Sequence, residues 1–211
     1  MPFERVPEKI RDVSPKKVSR KKGPFLCLLK VELLDISPKI WRKIWVSNIM
    51  SLSHLHHILQ AAMGWTDAHL HRFAIQGVEY GLPDPDFDDA PVDERKTRLG
   101  KVLLPKLTFE YQYDFGDNWN HRLSVEKIVP VADPLTYSFV ESGAGACPPE
   151  DCGGALRYQR FLSRWRRNRE SPEVLSFLEW AGSDFDPDRF DRHAVNASLM
   201  RMAWNGWVLP R

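Results

Sequence analysis

With 211 residues, 43% of them apolar, and a net charge of +2, the chain can bury one core and falls short of the roughly 250–300 residues at which single cores divide. No run approaches the ~18 apolar residues of a membrane span, and the amino terminus lacks the apolar stretch of a secretory signal, which excludes a membrane partner and points to the cytoplasm. Cys27, Cys147 and Cys152 are odd in number and sparse, which excludes a disulfide framework and predicts three reduced thiols.

Residues 1–22 hold eight Lys or Arg against Glu4, Glu8 and Asp12, with Pro2, Pro7 and Pro15. That composition predicts a basic, solvated arm in front of a single domain over residues 23–211. Phe25 to Leu34 is apolar on both faces, and the turn at 35–39 leads into Ile40 to Val46, a hairpin. In its second strand Ile40, Arg42, Ile44 and Val46 share one face, while Trp41, Lys43 and Trp45 share the other and need cover. Ser51 is a suitable N-cap for a helix over 51–63, where Leu52, Leu55, His56, Leu59 and Met63 recur at helical spacing before Gly64. His69 to Ile75 alternates as a strand that puts His69 and His71 on one face.

Residues 81–98, rich in Pro and Asp, read as an exposed loop. The spacing of Asp84, Asp86 and Asp88 hints at a calcium loop, but Asp89 and Arg95 stand where Gly and Glu are required. Leu107 to Tyr113 and Trp119 to Val125 alternate on either side of Asp114–Asn118 as a second hairpin. The Asp-Phe-Gly at 114–116 lacks every companion motif of a kinase. From Ala155 the period turns helical, Ser171-Pro172-Glu173 opens a helix ending near Gly182, and Asp186-Pro187 opens a last one to about Ala203. The expectation is an α+β fold: an antiparallel or mixed β-sheet built from hairpins and packed against helices, with strands mainly in the first part and helices mainly in the second.

Six of the seven histidines fall between residues 54 and 121. Imidazole and carboxylate lone pairs suit a divalent metal or acid–base chemistry, which makes His71, Asp114, Asp117 and His121 the catalytic candidates and His69, His71, Asp117 and His121 the metal candidates. Glu150 and Asp151 are further carboxylates to bring near them. The same residues also fit a structural role, with Asp114, Asp117 and Asn118 shaping a turn and His56 and His71 satisfied in the core. Cys147 and Cys152 are spaced too widely for a zinc knuckle. No motif calls for a cofactor, and a divalent metal stays open at the His/Asp cluster. On the helix after Ala155, Arg157, Arg160, Arg164 and Arg167 form a one-signed ridge that suits phosphate oxygens and so nucleic acid.

Ile40-Trp-Arg-Lys-Ile44, Gln60-Ala-Ala-Met-Gly-Trp65, His69-Leu-His-Arg-Phe73, Tyr111-Gln-Tyr-Asp-Phe-Gly-Asp-Asn-Trp119 with His121, and Pro148-Pro-Glu-Asp-Cys-Gly-Gly154 stand in order along the chain. In these blocks the sequence resembles the plasmid pRiA4b Orf3-like family. The resemblance implies an association with plasmids and insertion sequences, hence with nucleic acid or a mobile-element protein as partner, and implies no recombinase chemistry. Val140 stands where family members often carry a further Cys. Two functions follow as expectations: a noncatalytic accessory or binding protein of mobile DNA, or a metal-dependent hydrolase using the His/Asp cluster.

Overall fold

The computed structural model describes residues 23–84, 86, 90–134 and 137–207, so the expected arm over 1–22 lies outside the described residues, as do Asp88 and Asp89 of the rejected calcium loop. The strands are β1 (Phe25–Leu33), β2 (Trp41–Ser47), β3 (His71–Ile75), β4 (Val78–Gly81), β5 (Val92–Asp93), β6 (Thr108–Tyr113), β7 (Trp119–Pro130) and β8 (Phe139–Ala144). They form one mixed sheet in the order β5-β4-β3-β6-β7-β1-β2-β8. All neighbours are antiparallel except β4 and β5. The helices are α1 (Leu52–Met63), α2 (Leu99–Val102), α3 (Gly154–Arg167), α4 (Pro172–Ala181) and α5 (Arg192–Trp204). The fold is α+β, with strands early and most helices late. None of these helices is long and apolar enough to cross a membrane.

Alternation explains the buried face. Cys27, Leu29, Val31 and Leu33 of β1, Phe73 and Ile75 of β3, Phe109, Tyr111 and Tyr113 of β6, and Trp119 and Leu123 of β7 all enter one core. Helix α1 adds Leu52, Leu55, Ile58, Leu59 and Met63 to it, each worth about 1.5–3 kcal/mol relative to exposure. Its ends are fixed as expected: the Ser51 hydroxyl accepts from the His54 N–H, and Gly64 closes the helix at φ 90°.

Arg42 lies on the buried face of β2, and all five of its N–H groups are used. They donate to the carbonyls of Ala62 (3.0 Å), Trp41 (2.8 Å), Ala144 (2.9 Å) and Gly145 (2.8 Å) and to Cys147 Sγ (3.4 Å). The guanidinium also lies 3.8 Å from the centre of the Phe190 ring. It therefore ties α1 and the segment after β8 to β2. Trp41 and Trp45 on the other face are half-buried, and Trp45 Nε1–H donates to Glu141 (3.0 Å).

Three boundaries differ from expectation. Helix α5 begins at Arg192 rather than near Pro187, because Asp191 accepts from the N–H groups of His193 and Ala194 as its N-cap while Asp186 closes a separate turn with Asp188 (3.0 Å). The 81–98 segment is not all exposed: Glu94, in a 3₁₀ turn, is 1% exposed. Strand β3 starts at His71, leaving His69 on the segment before it.

Candidate metal centre

The β6–β7 turn is built by its own carboxylates. Asp114 (φ 56°) and Asn118 (φ 58°) take left-handed backbone, and Asp114 Oδ1 accepts from the N–H groups of Gly116 (2.8 Å) and Asp117 (3.2 Å). Asp117 Oδ2 accepts from Gly153 N–H (2.9 Å). A Cβ on Gly154, whose φ is 76°, would lie 2.7 Å from the Asp117 carbonyl oxygen, so only glycine allows this close approach. The Pro-Pro-Glu-Asp segment is thereby held against the hairpin turn, and Trp65 adds a bond from Nε1–H to the Pro148 carbonyl (2.9 Å).

Where these segments meet, three carboxylates converge on one imidazole nitrogen. His69 Nε2 lies 3.0 Å from Asp151 Oδ1 and 3.7 Å from both Asp114 Oδ2 and Glu150 Oε2. That nitrogen is shielded from solvent and makes no aligned hydrogen bond. The Asp114 side chain is 8% exposed, and its Oδ2 carries no hydrogen bond among the described residues because the turn uses Oδ1. Glu150 is oriented through Oε1, which accepts from Thr66 N–H (2.8 Å) and the Tyr113 hydroxyl (3.0 Å). Burial, then the Glu150 carboxylate, raise the Tyr113 pKa, so the phenol stays a donor. The ligand atoms of His69, Asp114 and Asp151 all lie within 4.8 Å of one another, which suits a cation at about 2.0–2.2 Å from each. Converging carboxylate oxygens repel unless a proton or a cation lies among them.

A second group, His56, His57 and Asp67, also has ligand atoms within 4.8 Å, but its lone pairs are already committed. Asp67 bonds His56 Nε2 (2.6 Å) through one oxygen and lies 3.2 Å from His57 Nδ1 through the other. His56 Nδ1 faces the Tyr111 hydroxyl (2.8 Å), which accepts from Gln60 Nε2 (3.0 Å). Tyr111 must then donate to Nδ1, which places the His56 proton on Nε2, toward Asp67. Burial, then the neighbouring His71, push the His56 pKa down to about 3, in keeping with a neutral ring. His71 stacks on His56 with centroids 3.4 Å apart and reaches Glu94 at 2.9 Å.

The four catalytic candidates therefore divide. Asp114 joins the centre, and Asp117 braces it from the turn. His71 belongs to the His56–Glu94 stack. His121 is fully buried with Nδ1 against the Trp119 (3.1 Å) and Tyr111 (3.3 Å) carbonyls, and burial pushes its pKa down to about 4. Of the metal candidates His69, His71, Asp117 and His121, only His69 faces the converging carboxylates. Asp151 is legible as a carboxylate but not as a ligand, while Glu94 and Asp67 belong to no local motif, their bonds to His71 and His56 spanning 23 and 11 residues. Neither group of potential ligands contains a cysteine. The three thiols are free and buried, and burial pushes Cys27 and Cys152 up to about 12. Arg157, Arg160, Arg164 and Arg167 are all exposed on α3. The first three border a groove against α4, and Arg167 does not.

A family model described as plasmid pRiA4b ORF-3-like protein matches residues 26–194. An uncharacterized protein, y4hQ, from Sinorhizobium fredii is 37% identical over 177 residues, covering 83% of this chain and 88% of that protein. A crystal structure of a protein of unknown function, MM3350, from Methanosarcina mazei Go1 superposes with a TM-score of 0.71 at 33% identity, covering 81% of this chain and 97% of the other.

Proposed function

The chain belongs to the plasmid pRiA4b ORF-3-like family, and from the chemistry of its His–carboxylate centre we propose that it binds a divalent cation through His69, Asp114 and Asp151 and uses it for hydrolysis. The observation that carries this reading is the convergence of Asp114 Oδ2, Glu150 Oε2 and Asp151 Oδ1 on the unbonded His69 Nε2. One imidazole with carboxylates suits zinc, manganese or iron better than calcium, which prefers oxygen alone. Asp151 is 70% exposed, so the centre opens to solvent on that side. Water bound to such an ion is acidified toward neutral pH. Glu150 Oε2, its partner oxygen fixed by Thr66 and Tyr113, would be the group to accept a proton from such a water.

The test is metal analysis of untagged protein, followed by calorimetric titration of the metal-stripped protein with zinc and manganese. One ion per chain is expected. Asp114→Asn, which keeps an oxygen for the turn, should weaken binding by roughly 100-fold, the upper range for a lost supporting group and a lower bound for a lost ligand. Stable protein that takes up neither ion, or an Asp114→Asn variant that binds as tightly as the parent, would end the reading. The accessory role beside mobile DNA needs a surface for nucleic acid instead, and its support lies on a different part of the molecule.

A further inference from the structure

Helices α3 and α4 pack through Phe161 and Phe177, whose rings stack with centroids 3.9 Å apart. A groove of about 630 Å³ runs along this contact, within the size range that accepts a nucleotide-sized ligand. Arg157, Arg160 and Arg164 line one wall, at helical steps of three and four. Phe177 and Trp180 line the other, with Trp180 54% exposed and set edge-on to Phe177 at 5.6 Å. From residue 157 to 164 the basic wall extends about 10 Å. Arg164 is engaged by Glu173 at 2.6 Å, an exposed pair of the kind worth little in water. Arg157 and Arg160 have no ion-pair partner among the described residues.

Guanidinium forks beside an open indole face are complementary to phosphates joined to planar bases. We infer that this groove binds single-stranded nucleic acid, its phosphates on Arg157, Arg160 and Arg164 and a base stacked on Trp180. A duplex would engage the arginines but keep its bases stacked inside, leaving the aromatic wall unused. An acidic peptide would likewise leave Trp180 without a planar partner. The groove shares no residue with the metal centre.

The experiment is fluorescence anisotropy with the full-length protein at low ionic strength. The probes are a short labelled oligothymidylate, a duplex of the same length, and oligoglutamate as competitor. The single strand should bind most tightly, with a log–log salt slope of about −2, from three phosphates at about −0.7 each. Arg160→Ala should flatten that slope by roughly 0.7, and Trp180→Ala should weaken the single strand by roughly tenfold without weakening the duplex. Both side chains are exposed, so unchanged melting of each variant verifies the fold. Binding that survives both substitutions unchanged would belong to the arm over residues 1–22 and would overturn the groove. Equal affinity for duplex, preferential displacement by oligoglutamate, or no binding would overturn it as well.

Discussion

The two histidine–carboxylate groups lie side by side and contain the same chemistry, yet they differ in what their lone pairs do. In the His56 group every polar atom named above has a partner: Asp67 and Tyr111 take both His56 nitrogens, and Glu94 takes His71. In the His69 group the turn consumes Asp114 Oδ1 and the Thr66–Tyr113 pair orients Glu150, but Asp114 Oδ2 and His69 Nε2 are left facing each other without a bond. Ligand identity and proximity therefore do not distinguish a site from a core network. Unspent lone pairs that converge on one point do, and the contrast should show as a division of labour, with the first group carrying stability and the second carrying binding.

The sharpest way to break that contrast is at His71. Replacing it with Ala leaves the Glu94 carboxylate, 1% exposed, without its partner, which should cost about 3–5 kcal/mol. His69→Ala removes a side chain that is 30% exposed and relieves no buried pair, so it should cost less than about 1 kcal/mol while eliminating metal uptake. Urea denaturation of both variants measures the difference. Equal losses of stability would mean that the two groups are one network.

Acid should act first on the buried rings. His56 and His121 are held neutral, with pKa values pushed down from 6.5 to about 3 and about 4. The unfolded chain regains the ordinary value, so below it the unfolded state binds protons that the folded state refuses. Stability from these two rings is complete above pH 6.5 and falls as pH drops through the window toward 4 and 3, at up to about 1.4 kcal/mol per unit for each ring. Urea midpoints measured between about pH 7 and pH 5 should decline, while the ring resonances of His56 and His121 stay unshifted. A flat stability profile, or either ring titrating near 6.5, would show that the core admits charge.

How far the sequence discloses this division depends on the range of the interactions. The β1–β2 and β6–β7 hairpins, α1 with Ser51 and Gly64, and α3 and α4 are set by local period and capping, and all are readable. Strand β8 is not, because Phe139–Ala144 ends in small residues without clear alternation and is defined by pairing with β2 and by Asn196, whose amide bonds both the N–H (2.7 Å) and carbonyl (3.0 Å) of Val140. The site divides in the same way. Asp114 was identifiable from its turn. The two-residue spacing of His69 and His71 puts both on one face of a strand, but the strand begins only at His71, and their partners, Asp151 and Glu94, come from two separate segments later in the chain. Glu94 was hidden by the Pro- and Asp-rich composition around it.

The smallest expected effect probes how the unsatisfied group is held open. Tyr113→Phe keeps the ring that stacks on Trp65 at 5.0 Å, so packing survives. It removes the hydroxyl that donates to Glu150 at 3.0 and 3.2 Å and accepts from Ala68 N–H at 3.1 Å. Stability should fall by about 1 kcal/mol, as for an ordinary lost hydrogen bond. Glu150 keeps its bond to Thr66 N–H but loses the contact that fixes its second oxygen, so it can rotate away from His69. Metal affinity should then drop by roughly tenfold, the lower range for a supporting group, with one ion still bound per chain. Calorimetric titration beside the parent reads both numbers. Unchanged affinity would show that Glu150 does not support the centre; complete loss of the ion would add Glu150 to His69, Asp114 and Asp151 as a ligand, because a group that only positions or accepts a proton would not be needed to hold the metal.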